Sequence, residues 1–243
     1  MCTVSIYQQD ALCIVTMNRD ERRNRPEAGL HQAAASDHFP ACTYPLDSLS
    51  GGTWIGINRA GFTLCLLNRY DPPPQTEAPQ PTHWRSRGDI IPQALKTPDS
   101  LACNEFLRSL TVENFPGFDL LLIEPGKTRL YRWNRRHYAV TDIESRPWYM
   151  LTSSSVASTH CTKRRHKQFL DFTQLADKQI PSPELILSEL HCHQFADDKS
   201  ASIFMERELT HTKSITQVVM HSDGISLNYL PQQTPESMSS LAS

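Results

Sequence analysis

The alternation of apolar and polar residues predicts a chain built mainly of short β-strands, starting close to residue 1. Residues 3–7 and 11–17 are rich in β-branched and apolar side chains and flank a polar Gln-Gln-Asp segment, which is the pattern of a hairpin. A second hairpin is predicted at residues 53–58 and 61–68. Further strands are expected at residues 118–124, 129–133, 138–143, 148–151, 202–205, 214–221 and 225–230.

Helical periodicity is confined to two blocks between the strands. Helices are predicted at residues 90–96, 100–110, 163–177 and 184–193. In the third of these, Phe169 and Phe172 recur at helical spacing. Residues 30–49 show neither helical nor strand periodicity and are expected to be irregular. Antiparallel hairpins with helices grouped between them predict an α+β protein of packed sheets and helices.

The composition is that of an ordinary globular protein. Hydrophobic residues make up 39% of the 243 residues and charged residues 21%, which suits one large domain or two small ones. The net charge of −2 gives no reason to expect binding to nucleic acid or to an anionic membrane. We expect no transmembrane segment, because no apolar run is long enough to cross a bilayer. We also expect no secretory signal, because the start of the chain has neither a basic region nor a sufficiently long apolar stretch.

The cysteines predict free thiols rather than a disulfide framework or a structural zinc site. Seven of them are scattered along the chain with no C-x-x-C pair, which favours a reducing, cytoplasmic location. His191, Cys192 and His193 invite a metal interpretation, but zinc ligands are usually spaced two to five residues apart and supplied in pairs. We therefore expect helix-end and core residues here, and no metal.

Three local patterns leave alternatives open. Residues 71–82 hold five prolines and cannot pair in a sheet, so they form either a flexible connection or a stiff flap. The basic run at residues 163–167 is interpreted as a solvated helix face, with contact to an acidic ligand as the alternative. Gly51 and Gly52 suit a tight turn beneath Trp54, or a phosphate contact through backbone amides.

Cys2 is the clearest candidate for a catalytic residue. Initiator methionine is generally removed before a small second residue, which would leave a thiol and a free α-amine on Cys2. An α-amine with a pKa of about 7.7–8.0 is able to take the thiol proton near neutrality. The charged residues 18–21 (Asn-Arg-Asp-Glu) follow the predicted hairpin and are therefore expected beside the chain start.

Two blocks of residues resemble a known family. Met1, Cys2 and residues 18–21, together with residues 51–58 (Gly-Gly-Thr-Trp-Ile-Gly-Ile-Asn), resemble the NRDE family, which includes transport and Golgi organisation protein 2 homologues. The similarity spans residues 1–230, so we expect a single domain over this range and a disordered polar tail at residues 231–243.

The resemblance extends to N-terminal-nucleophile hydrolases of the choloylglycine hydrolase and penicillin V acylase type. It implies a four-layer αββα sandwich with Cys2 as the nucleophile. It also implies that Asp20, or Arg19 beside it, contacts the amine and thiol of the nucleophile, and that Asn68 donates to the oxyanion. Ser153 stands where those acylases carry a second asparagine, and Lys213 replaces an arginine usual in the family.

Two functions follow as alternatives. The first is a cysteine hydrolase that cleaves a non-peptide amide through a thioester, needs no cofactor and acts after Met1 is removed. The second is a non-catalytic carrier of an amphipathic ligand, since family members have been linked to haem trafficking and to acyl-CoA or lipid handling. A redox role for the Cys2 thiol is a third and weaker idea. The oligomeric state is not predicted.

Overall fold

The computed structural model describes residues 2–70, 83–176 and 180–231, and within them twelve strands form two antiparallel sheets. The strands are β1 (Cys2–Gln9), β2 (Leu12–Arg22), β3 (Gly29–Ala33), β4 (Cys42–Leu46), β5 (Ile55–Asn58), β6 (Phe62–Asn68), β7 (Phe118–Glu124), β8 (Lys127–Trp133), β9 (Tyr138–Ile143), β10 (Trp148–Ser153), β11 (Thr210–His221) and β12 (Gly224–Pro231). The five-stranded sheet has the order β10-β1-β2-β11-β12, and the seven-stranded sheet runs from β3 to β9 in chain order.

Helices cover the outer face of each sheet. They are α1 (Ile90–Ala94), α2 (Ser100–Arg108), α3 (Ser158–Ala176) and α4 (Pro183–Leu185), the last continuing as a π-helical segment over Ile186–His191. Asp99 caps α2 by accepting a hydrogen bond from the backbone N–H of Ala102. Short 3-10 turns lie at Arg87–Asp89 and Lys199–Ala201.

Buried apolar clusters hold the layers together. Val4 and Met17 from the five-stranded sheet meet Ile57 and Leu67 from the seven-stranded sheet in the core between the sheets. The outer clusters join α1 and α2 to the seven-stranded sheet, and α3 and the π-helical segment to the five-stranded sheet. The result is the predicted α+β fold with four αββα layers, in which each buried aliphatic side chain contributes about 1.5–3 kcal/mol.

Two sequence predictions about the fold are wrong. Residues 30–49 are not irregular throughout, because β3 and β4 lie at the edge of the seven-stranded sheet. The exposed edge position of β3 allows it to be largely polar, which hides its period. Residues 202–205 are apolar and buried, but they form no strand; they pack under the helical layer after a 3-10 turn.

Some predictions concern residues outside the described part of the chain. These are the proline-rich segment at residues 71–82 and nearly all of the predicted tail, residues 232–243. In the described ranges, no helix combines the length and apolar character needed to span a bilayer.

Candidate active site

Cys2 lies at the start of β1, between β2 and β10. Its sheet partners are Arg19 on one side and Ser153 on the other. The backbone N–H of Cys2 donates to Ser153 Oγ at 3.4 Å, and the backbone amide of Asp20 donates to the Cys2 thiol. Three of the residues singled out from the sequence are therefore neighbours of Cys2 through strand pairing alone.

The thiol of Cys2 is buried, with 7% of the residue exposed. Burial raises the pKa of this thiol, and the carboxylate of Asp20 adds to the rise. The charge of the amino terminus, which is that of Met1, and the charge of Arg19 oppose this rise. A thiol in this environment stays protonated at neutral pH, so its use as a nucleophile requires a base within reach.

Strand alternation sends the charged residues of β2 to opposite faces. Arg19 points between the sheets, where its guanidinium lies 4.0 Å from the centre of the Trp54 ring. Asp20 points to the helix side, where its Oδ1 accepts from Thr212 Oγ1 at 2.7 Å and its Oδ2 lies 3.4 Å from Arg165 Nη2. One strand thus places a charged side chain on each face of the five-stranded sheet.

Arg165 is the supporting residue that the sequence prediction assigned to a solvated helix face, and that assignment is wrong for this position. Its side chain is fully buried, and its Nη1 donates to Thr3 Oγ1 and Thr152 Oγ1, both at 3.0 Å. It therefore ties α3 to β1, to β10 and to Asp20. Its place four residues before Phe169, on the apolar stripe of α3, is the sequence signal that identifies it.

Asp47 pairs with two arginines of the cavity lining, Arg19 and Arg25. Its Oδ2 accepts from Arg19 Nη2 at 2.6 Å and from Arg25 Nε at 2.7 Å. Burial pushes the pKa of Asp47 upward, but the hydrogen bond from Arg25, the charge of Arg19 and the amide of Ser50 together hold it below its usual value. Asp47 was not predicted, because it follows β4, in a segment expected to be irregular, and meets Arg19 only in the folded chain.

Cys2 opens into a cavity of about 390 Å³. It is lined by Cys2, Arg19, Asp20, Glu21, Arg25, Asp47, Ser50, Gly52, Thr53, Trp54, Leu66, Asn68, Trp84, Arg85, Ser86, Arg87, Gly88 and Pro116. The predicted site residues Cys2, Arg19, Asp20 and Asn68 share this cavity. Ser153 lines a smaller adjacent cavity of about 150 Å³, which Asn68 also borders. The half-buried Asn68 side chain donates to the Tyr70 hydroxyl at 3.4 Å.

Glycines allow two segments of the cavity wall to touch. A Cβ on Gly52 would lie 2.7–2.8 Å from the backbone of Gly88, so the two segments approach too closely for any side chain. The N–H of Thr53 donates to the carbonyl of Gly88 at 3.1 Å and fixes this contact. Gly51 has φ +68° and forms the preceding turn. The tight-turn interpretation of Gly51 and Gly52 therefore describes their geometry.

His191 belongs to the core beneath the five-stranded sheet. It is fully buried, its Nε2 lies 2.6 Å from Ser5 Oγ, and its Nδ1 contacts Asn18 Oδ1. The amide nitrogen of Asn18 donates to two carbonyls, so its oxygen is the acceptor and Nδ1 of His191 carries the proton. Among residues 2–70, 83–176 and 180–231, no three His, Cys, Asp or Glu side chains converge as metal ligands.

Lys213 occupies the irregularity of β11 between Thr212 and Ser214, where the register against β2 shifts. Its Nζ lies 4.0 Å from Glu27 Oε2. Lys213 does not line the main cavity.

A solved structure of another protein shares this fold. The N-acylethanolamine-hydrolyzing acid amidase ortholog of Caenorhabditis elegans matches with a TM-score of 0.59 at 11% identity, covering 90% of this chain and 92% of that one. Two variants of the conjugated bile acid hydrolase of Clostridium perfringens match with TM-scores of 0.49 and 0.48 at 12% identity, covering 95% and 96% of this chain and 92% of theirs.

A sequence comparison assigns the family. No curated protein matches this chain significantly. The sequence profile of the family described as Transport and Golgi organisation 2 matches residues 1–230. The chain therefore belongs to the Transport and Golgi organisation 2 family, and its fold is that of the N-terminal-nucleophile hydrolases.

Proposed function

We propose that this protein is a cysteine amidohydrolase in which Cys2, once Met1 has been removed, is the nucleophile. The observation that carries the proposal is the position of Cys2 in the lining of the 390 Å³ cavity, where it pairs with Arg19 and Ser153 and shares the lining with Asn68. A nucleophile needs access to a concave site, a base and an oxyanion donor, and this arrangement offers candidates for each.

Acylation begins with proton transfer within Cys2. The α-amine takes the thiol proton, and Sγ attacks the carbonyl carbon of the amide as its π electrons move to oxygen. The amide of Asn68 donates to that oxyanion. As the C–N bond breaks, the ammonium proton passes to the departing nitrogen, which leaves as an amine and creates a thioester on Cys2.

Deacylation reverses the proton path. The α-amine takes a proton from water, whose oxygen attacks the thioester carbon. The C–S bond then breaks, the acid departs, and the sulfur recovers its proton from the ammonium. Asp20 lies close enough to Cys2 for its carboxylate to raise the pKa of the thiol, so it is the candidate that stabilises the charged α-amine in both steps.

The experiment is turnover of a panel of small amides by the wild-type protein and two variants. Cys2→Ala should abolish turnover. Cys103→Ala removes another fully buried thiol, on α2 and away from the cavity, and should leave turnover unchanged. Turnover that survives Cys2→Ala would exclude Cys2 as the nucleophile. The carrier function and the cytoplasmic location stay predictions, and titration with haem and with acyl-CoA tests the former.

A further inference from the structure

The two sides of the cavity differ in how their arginines are neutralised. On one side, Arg19 and Arg25 both pair with Asp47, and Arg25 also lies 3.9 Å from Glu21. On the other side, residues 85–88 (Arg-Ser-Arg-Gly) line the cavity as one continuous segment. Within residues 2–70, 83–176 and 180–231, neither Arg85 nor Arg87 forms an ion pair.

Arg87 is the better placed of these two guanidiniums. It is half-buried, whereas Arg85 is exposed and lies 4.7 Å from the centre of the Phe115 ring. The Nη1 of Arg87 donates to the carbonyl of Gly117 at 2.9 Å, which fixes the side chain against the cavity wall. In the described part of the chain this carbonyl is the single hydrogen-bond acceptor of the Arg87 guanidinium.

No carboxylate in the described part of the chain neutralises the half-buried guanidinium of Arg87. Burial lowers the pKa of Arg87, and the influences that oppose this come from Tyr70 and Cys2, not from a carboxylate. An anionic group on a ligand would pair with this guanidinium, since a guanidinium binds carboxylate and phosphate oxygens in a bidentate manner.

We propose that the ligand of this cavity is a small amide bearing an anionic group, a carboxylate or a phosphonate-like group, which Arg87 binds. The proposal rests on the amidohydrolase function for its scissile bond, but the anion site itself does not. Arg87 and Cys2 line one cavity and lie near enough to influence each other electrostatically. An anion on Arg87 therefore holds the amide of the same small molecule over the thiol.

Arg25 cannot replace Arg87 in this role. Its Nε is already paired with Asp47 at 2.7 Å, and a ligand anion there would meet the negative charges of Asp47 and Glu21. The charges around the cavity are therefore uneven. The carboxylates of Asp47 and Glu21 lie beside Arg19 and Arg25, whereas the guanidiniums along residues 85–88 pair with no carboxylate of the described residues.

Binding by calorimetry to the full chain tests the site without requiring turnover. The probes are N-hexanoylglycine, its neutral amide N-hexanoylglycinamide, and N-hexanoylaminomethylphosphonate. Wild-type protein should bind the two anions at least about tenfold more tightly than the neutral amide, which corresponds to about 1.4 kcal/mol. The ratio of the affinities for the carboxylate and the phosphonate shows which anionic group the site prefers.

Two variants assign the preference to Arg87. Arg87→Met should remove it, and Arg87→Lys should restore part of it, since a lysine keeps the charge but loses the planar fork. Arg129→Met is the matched control, because Arg129 pairs with Asp142 on β8 and β9, outside the cavity. Equal wild-type affinity for acid and neutral amide, or a preference that survives Arg87→Met, would overturn the proposal.

The anion site and the amidohydrolase function can fail separately. Selective binding of the anions without hydrolysis of any amide would keep the site and refute the hydrolase. Hydrolysis of neutral and anionic amides at equal kcat/KM would keep the hydrolase and refute the anion site.

Discussion

Arg165 Nη2 and Asp20 Oδ2 lie 3.4 Å apart in an ion pair whose two side chains are completely buried. The pair lies on the helix-covered face of the five-stranded sheet. Arg165 also donates to Thr3, the residue that follows Cys2 in β1. The position of the candidate nucleophile therefore depends on a charge that α3 brings from a distant part of the chain.

Removing Arg165 should destabilise the fold strongly. Arg165→Met removes the buried guanidinium that faces the buried carboxylate of Asp20, and loss of one member of a buried pair costs about 3–5 kcal/mol. Urea unfolding measures the loss. Arg164→Met is the control, since the neighbouring Arg164 pairs with Asp197, which is 71% exposed, and should cost at most about 1 kcal/mol. Equal losses for the two variants would contradict this role of Arg165.

His191 should make stability depend on pH. Burial lowers its pKa to about 3, whereas an unfolded histidine titrates at about 6.5. Between these values the unfolded chain binds a proton that the folded chain does not, so stability falls as pH falls through this window. From pH about 7 to pH about 5 the loss due to His191 should be about 2 kcal/mol.

Comparison of two histidine variants isolates that effect. Urea unfolding of His191→Gln at the two pH values should show a loss smaller than that of the wild type by this amount. His38→Gln alters an exposed histidine and should leave the wild-type loss unchanged. An identical pH dependence in all three proteins would show that His191 does not titrate as described.

The contact between Gly52 and Gly88 should not tolerate a side chain. Gly52→Ala places a Cβ 2.7 Å from the Gly88 carbonyl carbon, and forced separation of packed backbone segments costs about 1–3 kcal/mol. Gly29→Ala is the control, because nothing lies within 4 Å of the added Cβ there. Thermal unfolding compares the two. A Gly52→Ala protein as stable as Gly29→Ala would mean that the cavity wall moves freely.

Asn68 should act in the transition state rather than in substrate binding. Asn68→Ala should lower kcat by about 100–1000-fold with little change in KM, the usual effect of removing an oxyanion donor. Asn104→Ala, on α2, removes an amide that accepts from Tyr131 away from the cavity and should leave kcat unchanged. A rise in KM with constant kcat would instead make Asn68 a binding residue.

The pattern of apolar and polar residues predicted the fold well for buried strands and for strands with alternating apolar and polar side chains. The hairpin of β1 and β2, the pair β5 and β6, and the helices beginning at Ile90 and Ser100 follow directly from apolar period and turn residues. β3 was missed because its edge position requires little apolar surface. Ile203 and Phe204 suggested a strand because burial by helices and burial in a sheet favour the same residues.

The candidate site was predictable only where its residues lie close together in the sequence. Cys2, Arg19 and Asp20 meet through a single hairpin, so neighbouring sequence was enough to bring them together. Asp47 and Arg165 reach the site through tertiary contacts spanning 28 and 145 residues, which no local pattern records. Arg165 was also concealed by the charged residues beside it, although its helical spacing to Phe169 marks the buried face.

The most direct test of the central claim is peptide-level mass spectrometry of the protein quenched during turnover of an amide that it hydrolyses. We predict an amino-terminal peptide that begins at Cys2, lacks Met1 and carries the acyl group of the substrate on the thiol. A peptide that retains Met1 while turnover proceeds, or an acyl group on another residue, would contradict Cys2 as an N-terminal nucleophile.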